Sequence, residues 1–460
     1  MPKNHDILLQ QSLLDRRPLS RRGWLRSVAG ATASLAVTPF AALGQSRSRP
    51  PNVILILADD LGSRDLGCYG ATDLFTDNLD SLAAWGVRFD QFYVTAPACL
   101  PSRASLLTGR HPQHMMEHGL GMVSSEVTLA ELLRAEGYRT AAFGKWHLGH
   151  KPEVSPHGQG FDRFVGFKFG AIDNYSHYYY WGGGARPGLW RDGKLRLESG
   201  SYFPDIMTDE AVKFIHTEKD RPFFLYLPYN IPHYPMQPPT TTLLRYAHIT
   251  DPARRFYAAC VTAMDECIGR VLQAVGDNDL TQDTIIIFLS DHGHSVEADT
   301  MGGGGRSAPF RGGKTTLWEG GIRVPCIVAW PGTLPGGQVR QQPVMNIDLL
   351  PTIAEWCGVP LLGLEVDGRS LQPVIDSPMS ESPHEFLAWT WQKWSAVRSG
   401  PWKYIQDNEN TEYLYNLATD PGESSNLIRS HANTARRLIA HRDSWFSELR
   451  RNPRTHVWLP

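Results

Sequence analysis

Residues 284–294 read Thr-Ile-Ile-Ile-Phe-Leu-Ser-Asp-His-Gly-His, a strand-like apolar run that stops on an acid and two imidazoles. A continuous run of this kind, rich in β-branched residues, fits a central strand covered on both faces. Three further segments share the build. Asn52–Ala58 (NVILILA) leads into Asp59-Asp60, and Tyr138–Phe143 (YRTAAF) leads into Gly144-Lys145-Trp146-His147. Phe223–Pro228 (FFLYLP) leads, after a short gap, into His233. In open α/β sheets, ligands collect beyond the carboxyl ends of the strands. Four runs that each deliver charged or imidazole groups at that end predict one shared site.

From Pro51 to about Asp376, strand-like runs alternate with helix-like segments. The expected architecture is α/β, a large mixed, mostly parallel sheet sandwiched by helices. Thr128-Leu129-Ala130-Glu131 has the spacing of a capping box, and Gly137 suits the helix stop. From about Ser377 the texture changes to short aromatic strands: Phe386–Trp391, Ser395–Arg398, Trp402–Gln406 and Tyr413–Leu417. A polar helix over Ser425–Leu449 follows, which predicts a small C-terminal antiparallel sheet with one covering helix. The expected units are an export segment at 1–44, a catalytic domain at 45–376 and a C-terminal subdomain at 377–460. No internal repeat is evident.

The chain has 460 residues, 42% hydrophobic and 20% charged, the balance of a folded domain with a large core. The first 44 residues hold six basic side chains against Asp6 and Asp15; without them the formal charge falls from -2 to -6. That gives no support to nucleic-acid binding. Ser20-Arg21-Arg22-Gly23-Trp24-Leu25-Arg26 precedes an uncharged stretch, Ser27–Gly44, that ends on small residues. The pattern resembles a twin-arginine export signal, and it predicts a periplasmic or secreted protein. No other segment is apolar and long enough to cross a bilayer.

The run at 99–110 is Cys-Leu-Pro-Ser-Arg-Ala-Ser-Leu-Leu-Thr-Gly-Arg. Pro101 suits the first turn of a helix, with Arg103 one turn on. A reactive group at Cys99 would face the positive end of the helix dipole beside a guanidinium, a setting for an anion. Read by its residues alone, a buried structural cysteine at a loop-to-helix junction is the ordinary reading of a lone cysteine.

This run resembles the sulfatase signature at its diagnostic positions: Cys, Pro, Ser, Arg, then Leu-Thr-Gly-Arg. Asp59-Asp60-Leu61-Gly62, Gly144–Gly149, Asp291-His292-Gly293, Lys314 and Glu319–Pro325 are similar to the family's other site segments. Leu414–Leu417, with Asp420-Pro421, Glu423 and Asn426-Leu427, resembles its C-terminal motif. The resemblance is to arylsulfatase and N-acetylgalactosamine-sulfatase types, and it implies an alkaline-phosphatase-like fold. It further implies that Cys99 is oxidised to formylglycine by a maturation enzyme and that the protein hydrolyses sulfate monoesters.

Asp59, Asp60 and Asp291 offer hard oxygen ligands, with His292 and the group at Cys99 beside them. The set favours Ca²⁺, with Mg²⁺ or Mn²⁺ as alternatives. By resemblance, Lys145, His147, His233 and Lys314 line the sulfate pocket with Cys99 and Arg103. Asp291 would take a proton from the hydrated aldehyde. His233, helped by Lys314, would protonate the departing alcohol, and His147 would assist release of sulfate. Folded passage through the twin-arginine translocon is consistent with aldehyde formation and metal loading before export.

Asp173-Asn174-Tyr175-Ser176-His177-Tyr178-Tyr179-Tyr180-Trp181-Gly182-Gly183 suits either sugar recognition or an aromatic plug on the domain surface. The first reading makes Asp173 and His177 substrate contacts, with Trp190 and Arg191 on the same rim. The expected substrate is a sulfated small molecule or carbohydrate. Rival readings are a phosphonate monoester or phosphodiester hydrolase with the same motif, and an inactive exported glycan-binding protein. Six cysteines in an exported chain invite disulfides. Cys260 and Cys267 lie two helical turns apart, ~10 Å, too far for a bridge, and no disulfide framework is expected.

Overall fold

Asn52–Asp59 (β1) is buried at every position, and its alternate residues feed two separate cores. Val53, Leu55 and Leu57 belong to one; Ile54, Ile56 and Ala58 belong to the other. This is the period-two alternation of a strand covered on both faces. The computed structural model describes residues 49–451 except 118–120, 181–183 and 301, so the export segment at 1–44 lies outside the described residues.

Six longer strands accompany β1: Val87–Tyr93 (β2), Arg139–Lys145 (β3), Arg163–Phe167 (β4), Phe223–Pro232 (β5), Thr284–Ser290 (β6) and Arg323–Ala329 (β7). Their order across an eleven-stranded sheet is β4-β3-β5-β1-β6-β7-β2, with short strands completing both edges. The five strands from β4 to β6 run parallel, whereas β7 is antiparallel to both β6 and β2. The carboxyl ends of β1, β3, β5 and β6 therefore share one edge. The fifth strand is longer than its apolar run suggested. It continues to Pro232, so His233 follows the strand with no gap.

Helices Asp77–Trp85, Phe203–Glu218 and Pro252–Asp277 cover one face of the sheet. Cys99–Thr108, Leu129–Ala135 and Leu349–Trp356 cover the other. The capping box at Thr128 is formed in both directions, and Gly137 follows the helix at φ +84°. All six cysteines are unbridged, and Cys260 and Cys267 lie on one helix. Among the described residues no helix is long and apolar enough to cross a membrane.

The C-terminal strands Leu387–Trp391, Trp394–Ser399, Trp402–Gln406 and Glu412–Asn416 form a four-stranded antiparallel sheet. Its covering helix spans Ala432–Arg451 instead of beginning at Ser425. The Asp420 carboxylate takes the amides of Ser424 and Ser425, and Asn426 Oδ1 takes those of Leu414 and Ile428. Short polar side chains thus hold the backbone in turns where a helix was expected.

One face of this sheet packs on the helix through Val397, Tyr404 and Leu414; the other joins the main core through Trp389, Ala396 and Ile405. Between the two units, Lys403 Nζ lies 2.9 Å from Glu319 Oε1 and 2.8 Å from Glu423 Oε1, all three shut off from water. Tyr93 Oη donates to Glu319 Oε2 at 2.6 Å. Burial raises the Glu319 carboxyl, but Lys403 and nearby arginines hold it down to about 2. Burial, only partly offset by Lys403 and reinforced by Glu319, pushes Glu423 up to about 7.

Replacing Lys403 by Met should cost about 3–5 kcal/mol in urea unfolding, because two buried carboxylates lose their counter-charge. Unchanged stability would remove this cluster from the junction's energetics. Because the Glu423 pKa is raised by folding, its contribution is present below the ordinary value of 4.5 and lost as pH rises through about 7. Stability of Glu423→Gln should therefore fall less than that of the parent between about pH 5 and 7.5.

Candidate active site

The edge formed by β1 and β6 carries four polar residues in two pairs. Asp291 N donates to Ala58 O at 3.1 Å, and Asp60 N lies 3.3 Å from Asp291 Oδ1, which locks the strand ends together. Pairing between β1 and β5 slips between Leu57 and Asp59, a bulge that re-aims the chain at the site. Asp60 and His147 both sit in the left-handed region, at φ +63° and +56°, a strained conformation typical of functional positions. Gly144 and Gly293 permit the close approach: a Cβ at either would strike the carbonyl of Pro228 or of Gly320.

Cys99 is the first residue of its helix, which has no side-chain cap on Ala98 and ends at Gly109, φ +66°. The first amides of that helix are left without a side-chain cap. Arg103, one turn on, is fully buried. Its Nε donates to Asp291 Oδ2 at 2.9 Å, its Nη2 lies 3.3 Å from Asp59 Oδ1, and its Nη1 donates to Lys145 O at 3.2 Å. Although burial disfavours its charge, Asp291 and Asp59 hold the guanidinium firmly protonated.

The remaining cations close the ring. Lys145 Nζ lies 2.7 Å from Asp59 Oδ2, and Lys314 Nζ lies 3.0 Å from Asp60 Oδ2. Burial opposes the Lys314 charge, yet Asp60 raises its pKa above the ordinary lysine value. Burial pushes the Cys99 thiol up, but Lys145 and His147 together bring it well below the usual thiol range, with hydrogen bonds from His147 and His292. His233 Nδ1 meets Tyr234 O at 2.5 Å, which leaves Nε2 as the atom facing the site, 3.8 Å from Asp60 Oδ2.

Among the described residues two overlapping groups could hold a cation: Asp59, Cys99, Asp291 and His292, and Asp59, Asp60 and His233, each with ligand atoms within 4.8 Å of one another. Asp59 Oδ1 and Asp60 Oδ1 are buried with no hydrogen-bond partner. Such orphaned atoms are costly unless an ion satisfies them. His292 Nδ1 is committed to Gly293 O at 2.9 Å, so its Nε2 points at the carboxylates. The donor set fits a hard divalent cation. With three acids already faced by Arg103, Lys145 and Lys314, that ion would leave the site net positive, ready for an anionic ester.

The aromatic stretch behaves differently from the sugar-recognition expectation. His177 is 1% exposed, and its ring nitrogens lie 2.8 and 2.9 Å from the carbonyls of Glu198 and Ser201. It ties down a loop and has no ring nitrogen left for substrate. Asp173 accepts from the amides of Tyr175 and Ser176 and from Gln237 Nε2, so it too is spent on local structure. Trp190 and Arg191 lie near the far edge of the sheet, where Arg191 pairs with Glu198 and Glu210. Trp181 to Gly183 lie outside the described residues.

Three residues at the mouth escaped the sequence reading of individual roles. Tyr234 stacks on His233 with ring centroids 4.2 Å apart, Tyr180 Oη donates to Tyr234 O at 3.2 Å, and Glu297 lies 3.5 Å from Lys314 Nζ. Position next to His233 was the one available signal for Tyr234. Glu297 sits just before the glycine-rich loop, and no local pattern marks it.

A family model described as Sulfatase matches residues 51–359, and one described as N-sulphoglucosamine sulphohydrolase, C-terminal, matches 312–444. Human arylsulfatase A is 35% identical over 449 residues, covering 84% of this chain and 85% of that protein. N-acetylgalactosamine-6-sulfatase of Sus scrofa is 32% identical over 459 residues, covering 87% and 86%. Among solved structures, Ps i-CgsB in complex with k-i-k-neocarrahexaose superposes with a TM-score of 0.79 at 31% identity, covering 86% of this chain and 93% of that one.

Chelator-treated protein should gain thermal stability on addition of millimolar Ca²⁺, by mass action on the folded state. Asp60→Asn and His292→Ala should each blunt the gain in melting temperature. A gain of equal size in both variants would exclude these residues as ligands.

Proposed function

The chain belongs to the sulfatase family, and on that premise we propose that it cleaves sulfate esters of carbohydrates through a formylglycine made from Cys99. Sulfate ester hydrolysis follows from the family itself. The observation that supports the finer reading is the placement of Cys99: first in its helix, hydrogen-bonded by His147 and His292, and grouped with Asp59 and Asp291. Cys99 Sγ stands where the aldehyde-derived oxygens would be.

Formylglycine supplies a hydrated aldehyde as nucleophile, and a divalent cation, Ca²⁺ for this oxygen-rich set, supplies positive charge that polarises the ester. Asp59, Asp60, Asp291 and His292 would hold that cation beside residue 99. Arg103 orients Asp59 and Asp291; burial raises the Asp291 carboxyl in spite of His292 and Arg103, which suits it to accept the nucleophile's proton. Lys145 and Lys314 balance charge on the sulfuryl oxygens. His233, its Nδ1–H committed to Tyr234 O, can deliver a proton from Nε2 to the leaving oxygen only as the imidazolium, a form that burial disfavours and the nearby Asp60 and Asp59 favour. His147, bonded to Cys99, takes the proton whose loss expels sulfate.

The carbohydrate preference draws on Ps i-CgsB, solved with a neocarrahexaose, and on the aromatic mouth of Tyr180 and Tyr234. The reading includes removal of segment 1–44 by twin-arginine export, a catalytic domain at 45–376 and a subdomain at 377–460.

Co-expression with a formylglycine-generating enzyme, followed by peptide mass at position 99, tests the modification directly. An aryl sulfate should then be turned over in preference to the matched phosphonate and phosphodiester. Cys99→Ala should lose at least ~10⁴-fold in kcat, and His233→Ala about 10²–10⁴-fold. Preference for the phosphorus esters would move the chain to a different hydrolase activity.

A further inference from the structure

A cavity of about 430 Å³ lies at the seam between the main sheet and the small one and takes no part in the catalysis described above. Arg64, Arg323 and Arg398 line it, with Gln91, Gln341 and Phe310. It adjoins a further hollow of about 350 Å³ with which it shares Gln341 and Arg398, so the two form one groove. Its lining residue Arg323 lies at the same edge of the sheet as the active site. Arg323 begins antiparallel β7 at the carboxyl end of β6, and it pairs with Tyr93 at the end of β2. Two interstrand steps, ~10 Å, separate β6 from β2.

The cavity is lined by three arginines and no acid, and Asp90, in an adjoining hollow with Arg64 and Arg323, is itself paired with Arg88. Arg64 has no ion pair among the described residues: Nη1 donates to Tyr69 O at 3.0 Å, and Nε is buried without a hydrogen-bond partner. Arg398 is buried, also without an ion pair, and its donors go to Gly400 O, the Tyr93 hydroxyl and Gln91 Oε1. Arg323 pairs with Glu319 at 3.3 Å, but that carboxylate also serves Lys403. The Phe310 ring carries Arg323 at 4.2 Å and Arg64 at 4.9 Å. Burial, and next the charge of Arg323, pull the Arg64 pKa below the ordinary arginine value. An oxyanion would relieve this crowding and satisfy the idle donor.

We propose that this arginine-lined cavity binds a second sulfate group on the same glycan chain whose first sulfate ester is cleaved at residue 99. The site rests on the carbohydrate reading above, and it makes the enzyme a reader of sulfation pattern as well as a hydrolase. Free inorganic sulfate has the same chemistry, and the test separates the two sources.

Titration of a disulfated oligosaccharide and its monosulfated counterpart into the Cys99→Ala protein, at low ionic strength, measures the site without turnover. Arg64→Gln in that background should weaken the disulfated ligand about 5–10-fold, leave the monosulfated one within two-fold, and Arg64→Lys should recover part of the loss. Equal affinities for both ligands in the parent, or no effect of Arg64→Gln, overturns the proposal. Binding that depends on Arg64 for inorganic sulfate but not for the oligosaccharide also overturns it, in favour of a free-anion site. In matured enzyme with Cys99 intact, Arg64→Gln should turn over a small aryl sulfate at the parent rate. Absence of turnover in both matured proteins would sink the sulfatase reading while leaving the titration to decide this cavity.

Discussion

A guanidinium with no access to water organises this protein. Arg103 faces Asp291 on one side and Asp59 on the other, so it joins the ends of two neighbouring strands to the helix that presents Cys99. Each partner is costly to bury alone, and each becomes tolerable only in the geometry that the other two enforce. The bulge in β1, the left-handed Asp60 and the glycine contacts at Gly144 and Gly293 all serve that geometry. Removal of one charge would leave the others unmatched in a dry site.

Much of this was legible in the sequence for a local reason. A strand buried on both faces must be apolar throughout, and the first polar residues after it mark the carboxyl edge. Asp59, Lys145, His233 and Asp291 could therefore be picked out before any contact was known. The runs did not reveal where each element stops. The β5 strand outlasts its apolar core by Tyr229–Pro232, and the last helix starts late because Asp420 and Asn426 compete for its amides. The residues 173–177 were harder still. Their composition suits a sugar site, but whether a histidine meets solvent or the Glu198 and Ser201 carbonyls depends on a distant loop. Tyr234 and Glu297 gain their places in the same way, from loops that converge only in the fold.

The small sheet is more than an appendage. Its inner face completes the main core, and Lys403 spans Glu319 and Glu423 in a seam without water. Glu319 opens the short helical turn that leads into β7, the strand that starts beside the arginine-lined cavity. The junction thus fixes the position of that cavity with the rigidity of a core contact, although its wall is shared by two units.

The burial of Pro101–Thr108 carries a consequence for the order of events in the cell. An enzyme that reads the run after Cys99 as an extended peptide finds in the finished protein a helix packed on every side. If Cys99 is converted to formylglycine as proposed, its oxidation would belong to the nascent or unfolded chain, ahead of the closing of β1, β5 and β6, which come from distant parts of the sequence. A translocon that accepts only folded cargo would next inspect a protein whose chemistry is already sealed in. On the proposed modification and export, a chain that folds too fast would arrive well built and inert, and the rate of folding would set a deadline for acquiring the catalytic group.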